Sequence, residues 1–305
     1  EELTQIKQLI LNNCSLDDSI LPKLKNMKEL NYLELSNNNI IDCSELKDMN
    51  IYNLELSGNK EIKLNTIPTI LNVEISEDEY YGEFQTLLKL DNCNIEDISA
   101  LRDTNINYIS LVNNPISDLT PLKDNEKVFF VDLSNTNVTD VSSLNKALTV
   151  FLNGNKNLTN IDKMENVRTL YLEECNINDF SFISDLEKLD GISLKNNNIS
   201  VMPNIVNDSL KWIDISENKL SEFPDLSSIK AYTIDLSKNE IEDISSIEDN
   251  ISSEVDYISI NLSNNKIKQV PEISNDNINI DVSNNYISEI PERGYNNYSK
   301  QEITQ

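Results

Sequence analysis

Apolar and polar positions repeat in one frame along most of this chain. The frame reads apolar, two variable, apolar, one variable, apolar, two variable, Asn or Cys, one variable, apolar, as in Leu30, Leu33, Leu35, Asn38 and Ile40. About fourteen units fit it, at the period of roughly 20–29 residues typical of one class of repeat. Units of this kind bury a shared core only by stacking on their neighbours, so the sequence predicts a solenoid. One unit fits with an aromatic first position, Tyr257.

The frame also predicts the elements within each unit. The alternation in Leu33-Glu34-Leu35 indicates a short strand with one buried face. Strands of stacked units are expected to pair as a parallel sheet about 4.8 Å apart. After the strand, apolar residues recur every three positions, as in Ile116, Leu119 and Leu122. That spacing indicates short helical or 3-10 turns on the opposite side of each unit.

The polar position after each strand predicts a ladder of inward-facing side chains. An Asn side chain both donates and accepts hydrogen bonds, so a stacked row of them can satisfy the buried backbone groups of the turns. Thr136 occupies the position in one unit. The other predicted members are Cys14, Asn38, Asn59, Cys93, Asn114, Asn155, Cys175, Asn197, Asn218, Asn239, Asn265 and Asn285.

The four cysteines follow the same frame. Cys14, Cys93 and Cys175 take the ladder position and Cys43 takes an apolar one, so all four are predicted to be buried. They lie in separate units, too far apart for disulfides. No Cys-x-x-Cys spacing indicates a metal site. Free thiols favour a reducing compartment or a bacterial source over an animal ectodomain.

Composition narrows the possible functions. The chain has no histidine, which excludes a Ser-His-Asp or Cys-His catalytic site. We predict no catalytic centre, cofactor or metal, and an enzyme only if a catalytic domain lies outside these 305 residues. The formal net charge of −27 opposes binding to nucleic acid or anionic membranes. It suits solubility or a basic protein partner. No run of 18 apolar residues indicates a membrane span.

This frame resembles the leucine-rich-repeat family over essentially the whole chain. Within that family, residues 113–122 (Asn-Asn-Pro-Ile-Ser-Asp-Leu-Thr-Pro-Leu) are similar to the short repeats of bacterial internalins. The resemblance implies an α/β solenoid, a horseshoe with a parallel β-sheet on its concave face and short helical or 3-10 turns or loops on its convex face. It also implies a secreted or cell-surface module that binds a protein ligand. The alternative is the eukaryotic short-repeat type, which implies a cytoplasmic scaffold or a phosphatase-regulator-like subunit.

The domain organisation follows from where the frame holds. We expect a solenoid over residues 1–291 and a polar C-terminal tail over 292–305, in a monomeric protein. A degenerate repeat is expected near 66–85, where Asp78 replaces the ladder Asn, and an enlarged loop near 245–256. The helical cap usual in the bacterial family is not recognisable before Leu3. Residues 1–4 (Glu-Glu-Leu-Thr) contain neither an initiator Met nor a basic-then-apolar signal sequence, so the sequence is expected to be a fragment, or a mature form without its targeting segment.

The concave face is the candidate binding site. Each strand presents two outward columns there, and Tyr108, Phe130, Phe151 and Tyr171 fall on four consecutive strands. Exposed aromatic side chains are common binding anchors, although they also pack on one another along a sheet. Acidic residues surround them, with Lys89, Arg168, Lys195 and Lys211 as interruptions, which favours a partner with apolar anchors and Lys or Arg. The further site residues are Tyr32, Trp212, Ile10, Glu34, Glu55, Asp132, Asp214, Asp235 and Asp281.

Overall fold

A computed structural model gives the structure of the chain, and it describes residues 5–68, 86–102, 104 and 106–288. The chain divides into two compact units, Glu1–Met164 and Glu165–Gln305. Asp78, most of the degenerate repeat near 66–85, the tail at 292–305 and Leu3 lie outside the described residues. The predictions made for those segments therefore stay predictions.

The first unit contains seven described strands, and each pairs in parallel with the next in chain order. The pairing of β3 with β4 is direct, although the chain between them is longer than between the other neighbours. The strands are β1 (Gln8–Ile10), β2 (Tyr32–Glu34), β3 (Asn53–Glu55), β4 (Leu87–Lys89), β5 (Tyr108–Ser110), β6 (Phe130–Asp132) and β7 (Thr149–Phe151).

The second unit repeats the plan with six described strands, again parallel and in chain order. Residues 245–256, where an enlarged loop was expected, lie in the connection between its fourth and fifth strands. The strands are β8 (Thr169–Tyr171), β9 (Gly191–Ser193), β10 (Trp212–Asp214), β11 (Thr233–Asp235), β12 (Ile258–Asn261) and β13 (Ile278–Asp281).

The strands form where the alternation places them. In β2 the middle residue Leu33 is fully buried, while its neighbours Tyr32 and Glu34 are half-buried on the opposite face. The same pattern holds in β6 and β8. Side chains of successive residues point to opposite faces of a sheet, so one face joins the core of stacked Leu, Ile and Val side chains. We call the other face, which carries the two columns, the outer sheet face.

Short helical turns pack behind the strands, as the spacing of three predicted. Leu119 and Leu122 are buried around a 3-10 helix, Thr120–Leu122. One α-helical turn, Leu21–Leu24, follows the first 3-10 helix. The other 3-10 helices of the described residues are Asp18–Ile20, Ser44–Leu46, Leu64–Thr66, Ser99–Leu101, Ser142–Leu144, Ile161–Lys163 and, in the second unit, Ser181–Asp185.

The ladder side chains join each repeat to the one before it. The Asn197 amide nitrogen donates to the carbonyl of Leu194 in its own turn and to that of Leu172 in the preceding repeat, each at 2.8 Å. Its Oδ1 accepts from the backbone nitrogens of Cys175 and Ile177 at 3.0 and 2.9 Å. Each such side chain therefore satisfies backbone groups in two repeats. The same donor pattern holds at Asn38, Asn59, Asn114, Asn155, Asn218, Asn239, Asn265 and Asn285.

The cysteines depart from expectation at one position. All four thiols are free, and Cys43, Cys93 and Cys175 are buried. Burial raises the pKa of the Cys93 thiol to about 11 and that of Cys43 to about 12. The prediction that Cys14 is buried is wrong, because its side chain is exposed. Cys14 follows β1, the first described strand, so no earlier described repeat packs over it as β3 and its turn pack over Cys93.

The residue before each ladder position adopts a left-handed backbone, which the sequence analysis did not identify. Its φ is +78° at Gly58 and +79° at Gly154, and between 51° and 58° at the other members. Only Gly, and to a lesser extent Asn, takes this conformation without strain. The residues at this left-handed position are Asn13, Asn37, Gly58, Asn92, Asn113, Asn135, Gly154, Glu174, Asn196, Glu217, Lys238, Asn264 and Asn284. The recurrent Asn-Asn and Gly-Asn pairs of the sequence reflect this geometry, because the first residue of each pair takes the left-handed conformation and the second is the ladder residue.

Candidate protein-binding face

Strand register aligns the outward side chains of the first unit into two columns. Tyr32, Tyr108 and Phe130 lie in the first column. Phe151 lies in the second, in register with Asp132. All four aromatic side chains are half-buried on the outer sheet face. The second column reads Ile10, Glu34, Glu55, Lys89, Ser110, Asp132 and Phe151.

A polar cluster occupies β2 to β4. The Tyr32 hydroxyl donates to Glu34 Oε1 at 2.7 Å, and Lys89 Nζ forms an ion pair with Glu55 Oε1 at 3.0 Å. Burial, followed by the neighbouring carboxylates, raises the pKa of Tyr32 well above its usual range. Lys89, an expected basic interruption, therefore neutralises one of the two glutamates of the cluster. Glu34 instead accepts hydrogen bonds from the Tyr32 hydroxyl and from the side-chain amide of Asn12.

An aromatic pair occupies β5 and β6. Tyr108 and Phe130 stack with ring centroids 6.5 Å apart and an interplanar angle of 28°. Offset stacking of this kind is a favourable aromatic geometry. The rings therefore pack on each other along the sheet and still keep part of their surface exposed.

Carboxylates frame that pair. Asp91 accepts hydrogen bonds from Ser110 Oγ at 2.6 Å and from the Val112 backbone nitrogen at 2.9 Å. Burial raises the pKa of Asp91 despite these bonds. Burial, then Asp132 and Asp91, raises the pKa of Tyr108 to about 12. The aromatic pair thus lies in a negative local field that opposes a further negative charge and attracts a positive one.

The second unit has its own aromatic pair, formed across an intervening strand. Trp212 on β10 is in register with Gly191 on β9, and its ring meets that of Tyr171 on β8 at 5.9 Å between centroids. A Cβ built on Gly191 would lie 1.9 Å from the indole Nε1. The indole therefore lies over Gly191, and only a residue without a side chain leaves that space.

Charged residues border this second pair on two sides. Asp190, just before β9, pairs with Lys211 at 2.7 Å and with Arg168 at 3.4 Å. Toward the carboxyl ends of the strands lie Asp214 and Asp235, in register with each other. The second column of this unit reads Tyr171, Ser193, Asp214, Asp235, Asn261 and Asp281. Lys195 lies beyond the strand end, 3.6 Å from Glu217.

Two aromatic residues beside these strands were not identified as site candidates. Tyr232 directly precedes β11 and is 47% exposed. Tyr257 was placed on the first, inward position of the frame, but it is 53% exposed. That placement is wrong because β12 begins at Ile258, which is itself buried and takes the inward position. Both residues are a Tyr directly before a strand, and this position is the sequence signal that would have identified Tyr232 and Tyr257 as site candidates.

Two other kinds of feature are absent from the described residues. No group of three or more Cys, Asp or Glu side chains there is arranged to hold a metal ion. No helix within the described ranges has both the length and the apolar character needed to cross a bilayer.

Comparison with solved structures identifies the fold. An internalin of Listeria monocytogenes matches 93% of this chain over 82% of its own length, with 21% identity and a TM-score of 0.63. A leucine-rich-repeat protein of Leptospira interrogans matches 95% of this chain over 75% of its own length, also with 21% identity and a TM-score of 0.67. No protein-family model and no curated protein matches the sequence. The parallel strands, the 3-10 turns and these likenesses confirm the predicted leucine-rich-repeat solenoid.

Proposed function

We propose that this leucine-rich-repeat chain is a protein-binding module of the internalin-like surface or secreted type, which engages its ligand through the outer sheet face. A fold alone specifies no ligand, so the proposal rests on the face itself. The observation that carries it is the stacked Tyr108–Phe130 pair, half-buried and framed by Asp91 and Asp132. The residues proposed to contact the ligand are Tyr32, Tyr108, Phe130, Phe151, Tyr171, Trp212, Glu34, Glu55, Asp132, Asp214 and Asp235.

The chemistry of the first unit favours a ligand with apolar and basic side chains. Tyr108 and Phe130 already pack on each other, so covering their remaining surface requires little ordering of either ring. An Arg or Lys of the ligand that lies over these rings gains a cation–π interaction and the attraction of Asp132. The formal net charge of −27 would accelerate the association of such a ligand and orient it.

The test compares ligand capture by the parent chain and by two variants. The site variant carries Ala at Tyr108, Phe130, Phe151 and Tyr171. The control variant carries Ala at Val201, Val206 and Tyr286, which are exposed apolar residues outside the strands. Circular dichroism first establishes that all three chains are equally folded. Proteins retained from host-cell and bacterial extracts are then identified by mass spectrometry.

A protein retained by the parent and the control but lost by the site variant would support the proposal and identify the ligand. The same protein should be released progressively as the salt concentration rises, because salt screens the carboxylates around Tyr108. A ligand retained equally by all three chains would exclude the four aromatic residues as its anchors and would move the site to the acidic columns or to the convex loops.

A cytoplasmic scaffold or phosphatase-regulator-like subunit is the second candidate. Four free cysteines favour it, because free thiols persist most readily in a reducing compartment. The coding sequence upstream of Glu1 separates the two candidates. A signal peptide there would favour export, whereas a nearby initiator Met would favour the cytoplasm.

A further inference from the structure

The aromatic pair of the second unit differs from that of the first in the charges nearest to it. Arg168 and Lys211 lie just before β8 and β10, the strands that carry Tyr171 and Trp212. The side chains of Arg168 and Lys211 are 47% and 52% exposed. Both pair with the single carboxylate of Asp190. These three side chains together carry a net charge of +1, within a chain whose formal net charge is −27. We call them the basic border of the second unit.

We propose that this border and the Tyr171–Trp212 pair form a second contact, which receives an acidic protein segment carrying an aromatic side chain. The ring of the segment packs against the indole and the Tyr171 ring. Its carboxylates bind Arg168 and Lys211 through charge-assisted hydrogen bonds. This inference builds on the proposed function, since it assigns the second unit a charge preference opposite to that of the first.

Asp214 and Asp235 lie at the other end of the strands, where the strands terminate. Asp214 is three residues beyond Lys211, which places their backbones about 10 Å apart at the rise of a β-strand. Charges separated by more than about 8 Å are largely screened at physiological ionic strength. Asp214 also accepts a hydrogen bond from the Ser216 backbone nitrogen at 2.8 Å, which directs one of its oxygens toward its own turn. A carboxylate held at Lys211 therefore responds mainly to the two cations and to Asp190.

The residues around the ring pair also leave room for a segment. Thr169, Gly191 and Thr233 occupy the first column beside Trp212, so no charged side chain lies next to the indole within that column. Tyr232 extends the exposed aromatic surface directly beyond Lys211. The surface that faces a bound segment is thus uncharged at its centre and positive at one border.

Trp212 makes the contact directly measurable, because it is the single tryptophan of the chain. Its fluorescence would be titrated at about 0.15 M salt with three peptides, Glu-Glu-Phe-Glu-Glu, Gln-Gln-Phe-Gln-Gln and Lys-Lys-Phe-Lys-Lys. We expect a saturable change with the acidic peptide, at a Kd about tenfold below that of the neutral peptide. The basic peptide should give no saturable change.

Three variants separate a local contact from a general charge effect. Replacing Arg168 and Lys211 together by Gln should raise the Kd of the acidic peptide about tenfold. Replacing Lys266 and Lys268 by Gln changes the net charge equally and should leave the Kd within about twofold, since these lysines pair with Glu240 and Glu242 elsewhere. Asp190→Asn removes the competing carboxylate and should lower the Kd about threefold, whereas a merely structural role for Asp190 predicts no gain.

Each result of the titrations either supports or overturns the proposed second contact. Equal affinities for the three peptides, tighter binding of the basic peptide, or no saturable change with any of them would overturn the inference. So would an equal loss of affinity in the Lys266 and Lys268 control. A capture experiment in which only Tyr108 and Phe130 are replaced by Ala leaves Tyr171 and Trp212 intact and is therefore independent of these titrations. If only the peptide titrations fail, the second contact is refuted and the proposed function is unaffected. If ligand capture is unchanged in the Ala variant, the proposed function is refuted.

Discussion

Trp212 packs directly over Gly191, so that a Cβ at Gly191 would lie 1.9 Å from the indole Nε1 and 2.0 Å from Cε2. The contact lets an indole on β10 reach across β9 to the Tyr171 ring on β8. Glycine normally weakens a strand, since it contributes no side chain to packing and loses the most backbone freedom on folding. Here its small size is required by a neighbouring ring.

Gly191→Ala should displace the Trp212 indole from Tyr171, because the new methyl group occupies the space of the ring. We expect the tryptophan emission to shift to longer wavelength as the indole becomes more hydrated. Thr233→Ala, on the opposite side of Trp212, is the matched control and should leave the emission unchanged. An unchanged spectrum in Gly191→Ala would contradict the contact.

Asn197→Leu should destabilise the second unit by about 1–3 kcal/mol, because buried backbone groups of two repeats lose their partner. Urea unfolding followed by circular dichroism measures the change. Asn204→Leu, at an exposed position in the loop of the same unit, should change the free energy of unfolding by less than about 0.5 kcal/mol. If the two variants are equally stable, the ladder bonds do not stabilise the fold.

Glu174→Gly should stabilise the protein by about 0.5–1 kcal/mol. Glu174 has a φ of 57°, a left-handed conformation that costs a residue with a side chain roughly 1–2 kcal/mol. Glycine removes this strain but loses more chain entropy on folding, so only part of the cost is recovered. Glu222→Gly is the control, because Glu222 is an exposed residue of the same unit that does not have a positive φ. This substitution should not stabilise the protein. A lower melting temperature for Glu174→Gly than for the parent would refute this account.

Asp97→Ala should lower the melting temperature at pH 7, and its difference from the parent should shrink as the pH falls below about 3.9. Hydrogen bonds from Ser99, at 2.7 Å from its backbone nitrogen and 3.0 Å from its hydroxyl, lower the pKa of Asp97. A carboxyl group with a lowered folded-state pKa stabilises the fold above its unfolded pKa of about 3.9. That stability disappears as the pH falls through the folded-state pKa. Asp17, Asp42, Asp140 and Asp225 bond Ser side chains in the same way.

Thermal unfolding of parent and variant between pH 2 and pH 7 checks this prediction. Asp124→Ala, an exposed residue of the same unit, is the control and should follow the parent at every pH. A constant difference between Asp97→Ala and the parent across that range would show that the loss is not electrostatic.

The repeat frame alone determined the strands, the buried face and the members of the ladder. These features depend on local alternation and on a polar residue at a fixed distance from each strand, so they are visible in one repeat at a time. Asn197 illustrates this, because its position in the frame was enough to predict a buried, bonded side chain. The alignment of Tyr108 with Phe130 likewise follows once equivalent positions of adjacent repeats are in register.

The tertiary structure alone decided which side chains meet and which are covered. Trp212 reaches Tyr171 only because Gly191 lies between them, which is a relation among three repeats. Cys14 is exposed although it occupies a ladder position, since burial there depends on a neighbouring repeat. Tyr257 is exposed because β12 starts one residue later, at Ile258. In a solenoid the frame predicts where most side chains point, whereas their surroundings depend on the repeats on either side.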